Sequence, residues 1–202
     1  MRREPVVLLA IAVATLVVSG IRPYDRLTWF LEVGPVLIGA PILVLTFRRF
    51  PLTILLYRLL LIHALILIVG GHYTYARVPV GFWIQELFEM SRNHYDRLGH
   101  FVQGFIPAIL AREILLRCSP LVKGKWLFFL VVSVSLAFSA FYELIEWWSA
   151  ALGGEAAESF LGTQGDVWDT QWDMFLALLG AIAAQLSLAS LHDRALAQVT
   201  SR

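Results

Sequence analysis

The chain has 202 residues, of which 58% are hydrophobic and 15% charged. That charge content is far below the roughly 25% of an ordinary soluble domain; with a mean hydropathy of +0.71 it points to a membrane protein. A net charge of +1 without a long basic run excludes a nucleic-acid arm, and a single cysteine, Cys118, excludes an internal disulfide or a multi-cysteine metal site.

The N-terminus, "MRREPVVLLAIAVATLVVSG", places two arginines before an apolar run. The run is longer than a usual signal core and no A-x-A-like site follows, so it is expected to stay as a first span. A span needs about 20 apolar residues. Six segments meet or approach that length: 5–21, 27–47, 52–70, 98–116, 126–148 and 170–191. The expected fold is therefore all-α, a polytopic bundle of six transmembrane helices in one integral membrane domain. Between the third and fourth spans, "FWIQELFEM" alternates Phe82, Trp83, Leu87 and Phe88 with Gln85, Glu86 and Glu89 at helical spacing. It predicts a short helix lying at the membrane surface.

Orientation follows from the basic residues. With the N-terminus cytoplasmic, Arg2, Arg3, Arg48, Arg49, Arg117, Lys123, Lys125, Arg194 and Arg202 fall inside, and Arg58 and Arg112 can snorkel to that side. Arg22, Arg26, Arg77, Arg92 and Arg97 remain outside. Both termini are thus expected in the cytoplasm. Most acidic residues then gather at the outer side, several of them a turn or more within a span.

Three spans bring such groups to one depth. "NHYDRLGHF" sets Asp96 and His100 four residues apart, on one helical face, at the start of the fourth span. "YELIEWW" sets Glu143 and Glu146 three apart near the end of the fifth. "GDVWDTQWDM" sets Asp169 and Asp173 four apart at the start of the sixth. Ionisable groups inside a membrane region usually face the bundle interior and serve function. Histidine with several carboxylates suits a divalent cation such as Zn²⁺, Mn²⁺ or Mg²⁺. The expected site is Asp96, His100, Glu143, Glu146 and Asp173, with Asp169 and His72 as further candidate ligands. His100, Asp96, Glu143 and Glu146 are the candidates for acid–base work. Blander readings compete. "YDRL" occurs twice, at Tyr24–Leu27 and Tyr95–Leu98, so Asp96 can be an N-cap like Asp25. Asp166 and Asp169 suit a loop or cap equally well, and His72 suits the interface. Glu155 and Glu158 are read as solvated, His63 as a hydrogen-bonded packing residue, and Arg112 and Glu113 as interface anchors.

"IRPYDRLTWFLEV", "RRFPLT", "GGHYTYARVPVGFW", "YDRLGHF", "AREILLR", "YELIEWW" and "FLGTQGDVWDTQWDM" together resemble the YjdF family, over nearly the whole chain. The resemblance implies a bacterial inner-membrane protein. More distantly, D-R-x-x-H-F, the glutamate of the next span and D-x-x-x-D before "LLGAIAA" look like the VanZ-like families. Arg97 replaces the lysine of their D-K pair, and their usual glutamine is absent at Glu146 and Trp147. That likeness groups Asp96, His100, Glu143 and Asp173. Three functions fit these residues: an enzyme acting on an envelope lipid or lipid-linked substrate, a non-catalytic membrane partner or assembly factor, and a small-solute or proton-coupled transporter. Apart from the bilayer and such a substrate, no partner is indicated, and nucleic acid is not among them.

Overall fold

The structure is a computed structural model describing residues 3–153, 158–161 and 163–200. The described residues form helices and no strand: α1 (Arg3–Ser19), α2 (Arg26–Glu32), α3 (Gly34–Thr46), α4 (Ile54–Tyr73), a 3₁₀ turn (Tyr75–Arg77), α5 (Pro79–Leu87), α6 (Tyr95–Cys118), α7 (Lys125–Gly153), α8 (Glu158–Leu161) and α9 (Asp169–Thr200). Every expected span falls on helix. Among the described residues α4, α7 and α9 are each long and apolar enough to cross a bilayer. The short surface helix expected between the third and fourth spans forms as α5. Pro79 starts it, where a missing N–H costs nothing, and it exposes Phe82, Trp83 and Leu87.

The second expected span is broken. α2 and α3 meet at Val33 with a bend of 42°, and only together are they long enough to span. Gly34–Pro35 is the physical cause: Pro35 cannot donate to the carbonyl one turn back, and its ring clashes there. The break turns Glu32, the last residue of α2, into the interior.

The bundle is organised on α6. It packs most extensively along α9, then against α7 and α4, while α1 packs on α4. The α6–α9 contact is close because its surfaces are small residues. A Cβ on Gly104 would collide with the Ala177 backbone, and one on Gly180 with the Phe101 carbonyl. Ala108, Ala181 and Ala184 continue the seam, all fully buried. One apolar cluster, around Leu56, Ile109 and Val131, fills the middle and the end where α6 finishes. A second, around Val33, Ile68 and Tyr95, supports the end where α6 starts.

The end where α6 finishes corrects one expectation. Arg112 and Glu113 are not interface anchors but buried centres of a polar network. Glu113 accepts from Thr53 N (3.0 Å), Thr53 Oγ1 (2.8 Å) and Arg117 (2.7 Å), and lies 3.1 Å from His192 Nε2. Arg112 donates to His192 Nδ1 at 2.8 Å and to Asp193 at 2.8 Å. Arginine can only donate, so His192 Nδ1 is the acceptor and its proton sits on Nε2, facing Glu113. The network ties α4, α6 and α9 together. His63, expected to be hydrogen-bonded, has a buried Nε2 without a partner beside an apolar cavity of about 270 Å³ between α1, α3 and α4.

Candidate functional site: a buried histidine–carboxylate cluster

Two loops place the start of α6 beside the start of α9. Arg92, buried, donates to Asp169 at 2.6 Å, and Arg97 donates to Asp166 at 2.7 Å. The Gln164 side-chain amide pairs with the Asn93 backbone in both directions: its Nε2 donates to Asn93 O (2.8 Å) and its Oε1 accepts from Asn93 N (3.1 Å). The Asn93 side chain in turn holds the start of α6, its Oδ1 accepting from Tyr95 N at 3.0 Å. With these loops joined, the first turns of α6 and α9 and the last turns of α7 converge.

At the convergence stands His100, 4% exposed. Its Nε2 lies 3.4 Å from Asp96 Oδ1 and 3.9 Å from Asp173 Oδ2, and its Nδ1 lies 3.7 Å from Glu143 Oε1. Ligand-capable atoms of Asp96, His100 and Asp173 lie within 4.8 Å of one another, as do those of His100, Glu143 and Glu146. Thus the five residues expected as one group are brought together from three helices. All five are buried. The two arginines beside them are engaged by Asp166 and Asp169. Buried ionised carboxylates without matching charge each cost several kcal/mol, on the order of the effective penalty for a desolvated ion. The cluster therefore needs positive charge, supplied by protons or by a cation.

The repeat resolves at this point. Asp25 is the N-cap of α2, accepting from Thr28 N at 2.7 Å. Asp96 is not a cap: it lies within the first turn of α6, whose N-cap position is His94. Two other candidates stand elsewhere. Asp169 holds Arg92. His72 Nδ1 donates to Ser19 O at 2.8 Å, and its carbonyl accepts from Tyr24 N at 2.8 Å, so it fastens the end of α4 to the α1–α2 loop. Glu155 lies outside the described residues, as do Arg2, Arg202 and the side chain of Glu158.

Two members are missing from the expectation. Glu32, buried at the end of α2, accepts from the Tyr142 hydroxyl at 3.1 Å. The Tyr142 ring centre is 6.3 Å from that of His100. Glu32 is thereby linked to the cluster from a fourth helix. Its visible signal was Gly34–Pro35, which breaks the span directly after it. Beside Glu143 opens a cavity of about 630 Å³, lined also by Trp147, Asp166, Asp169 and Thr170. Trp147 and Val167, which also line it, are exposed, so part of its rim is aromatic and apolar.

A helical bundle with membrane-length apolar helices and a buried acid–histidine cluster at one end defines a polytopic membrane protein with an internal polar site. The chain belongs to the family described as "Predicted membrane protein (DUF2238)", which matches residues 4–194. It is 57% identical to the inner membrane protein YjdF of Escherichia coli (strain K12) over 181 residues, 90% of this chain and 87% of that protein. No solved structure matches it.

Proposed function

We propose that the protein is an inner-membrane enzyme that performs acid–base chemistry on an envelope lipid or lipid-linked substrate. The single observation that carries this is the orphaned polar group inside the cluster: His100 Nδ1, Glu143 Oε1 and Asp173 Oδ1 are buried without hydrogen-bond partners. Most buried polar atoms are satisfied, and, unlike the isolated orphan at His63, three orphans meeting in one cluster suit a reacting molecule. The cavity beside Glu143 is the entrance, and its exposed Trp147 and Val167 suit an amphiphile arriving from the membrane interface. The relative's name supports the inner membrane. The bias of basic residues supports six spans with both termini cytoplasmic, which sets the cluster at the outer face. A transporter is disfavoured by the α6–α9 seam, where backbone packs on backbone directly below the site.

The test is a deletion strain whose lipids and lipid-linked glycans are compared with the parent by mass spectrometry. Glu143→Gln and His100→Gln, at parental abundance, should reproduce the deletion's accumulated substrate, since losing a general acid or base costs about 10²–10⁴-fold in rate. A non-catalytic partner recruited by charge would instead tolerate His100→Gln and Glu143→Asp. Full complementation by His100→Gln overturns the enzyme reading.

A further inference from the structure

The chemistry of His100's two nitrogens distinguishes what sits between it and its neighbours. Nε2 faces two carboxylates, Asp96 at 3.4 Å and Asp173 at 3.9 Å. Carboxylates accept, so the neutral ring carries its proton there. Asp96 lies one turn before His100 on α6 and holds that tautomer. Nδ1 is then left with its lone pair towards Glu143 Oε1, 3.7 Å away. Both atoms are buried, neither has a hydrogen-bond partner, and their residues are 4% and 6% exposed. Two lone pairs facing each other in a buried site repel unless positive charge lies between them.

A shared proton would bring such atoms to about 2.7–3.2 Å, and a proton on Nδ1 alone leaves an ion pair with no hydrogen bond. A metal ion fills the gap. Two ligands of a tetrahedral centre with bonds of about 2.1 Å stand about 3.4 Å apart. Glu146, one turn along α7 from Glu143, offers a third ligand: one of its oxygens, one of Glu143 and a ring nitrogen of His100 lie within 4.8 Å of one another.

We infer that His100 Nδ1, Glu143 and Glu146 form a binding site for a divalent transition cation, with Asp96 orienting the imidazole from behind. One nitrogen and two carboxylate ligands suit Zn²⁺ or Mn²⁺. Three protein ligands leave a position open, and Glu143 lines the 630 Å³ cavity, so that position is reached from the entrance. The arrangement is the carboxylate–histidine–metal relay, in which the rear carboxylate fixes the tautomer and raises the ligand's basicity. Asp96 is thus a positioning residue, and Asp169 and His72 are outside the metal shell. The inference deepens the proposed function by naming the cation at the same site.

The experiment uses the full chain in mild detergent, stripped with chelator, refilled with Zn²⁺ or Mn²⁺ alone, and desalted. Metal per chain is counted by mass spectrometry and affinity read by titration calorimetry. The parent should hold about one ion. His100→Ala and Glu146→Gln should hold almost none, and Asp96→Asn should bind about 10–100-fold more weakly. Glu143→Asp, which keeps the charge and the donor atoms, should retain the ion and guards against loss by misfolding. Uptake of neither metal by a monodisperse, fully helical parent overturns the site, as does full retention by His100→Ala. These outcomes separate from the first reading: absent metal with an inactive His100→Gln leaves the acid–base enzyme standing, while bound metal with a complementing His100→Gln leaves only the site.

Discussion

His94 and His100 stand six positions apart and face opposite electrostatic surroundings. His100 is walled by carboxylates. His94, before α6, lies beside basic groups, with Arg97 Nη1 3.3 Å from its Nδ1. Burial first, then the charges of Arg97 and Arg92, hold the His94 pKa below the ordinary histidine value. As pH falls through about 6.5, the unfolded chain takes up a proton that the folded chain resists. His94 therefore withdraws stability on acidification, and the loss starts at the ordinary histidine range. Thermal unfolding in detergent from pH 8 to pH 5, on the order of the range bracketing that value, should show a decline that His94→Asn flattens. An unchanged slope in the variant would refute the assignment. At this scale the sequence was partly legible. The spacing of Asp96 and His100 was plain, but Asp25 has the same tetrapeptide around it, and only burial separates a cap from a site member. Asn93 and Gln164 carried no signal, because a pairing across 71 positions has no local pattern.

Helices carry the site only as exactly as their seams allow. Gly104 and Gly180 let α6 and α9 touch through backbone, which fixes the distance between His100 and Asp173. Valine at either position would force the helices apart. Overpacking of this kind costs about 1–3 kcal/mol or more where backbone is the obstacle. Gly104→Val and Gly180→Val should thus lower the unfolding temperature in detergent, and Gly104→Val should also disturb the cluster. Gly39→Ala is the control: a Cβ there meets nothing within 4 Å, and alanine favours the helix. If Gly104→Val proved as stable as Gly39→Ala, the close seam would be wrong. The apolar runs made each of these helices legible, whereas "LLGAIAA" entered only as part of a family likeness and its small residues were not read as a seam. The bend between α2 and α3 was not read, although Gly34–Pro35 is a breaker signal inside an otherwise unbroken apolar run. That one bend is what brings Glu32 into the interior.

The molecule is polar inside at both ends and sealed between them. At one end Glu113, His192, Arg112 and Asp193 satisfy one another through basic partners, including Lys123, 2.8 Å from Asp193. At the other, carboxylates crowd a histidine with buried atoms left unpaired. The contrast separates the two ends: one is a clasp holding α4, α6 and α9 together, and the other is where we propose that a ligand binds. Hydropathy could not separate these, since it registers both as charges at span ends; the distinction lies in which charges meet. Orientation decides what a ligand at the proposed site can be, because an outward site meets the envelope and an inward one the cytoplasm. Cys118, exposed at the end of α6 beside the clasp, is a natural reporter. With the proposed orientation, a membrane-impermeant maleimide should leave Cys118 unmodified in spheroplasts and modify it once the membrane is opened. In a Cys118→Ser background, Val167→Cys, beside the entrance and 85% exposed, should react in both conditions. The opposite pattern would turn the cluster towards the cytoplasm and exclude an envelope substrate, while leaving the metal site to be judged on its own binding.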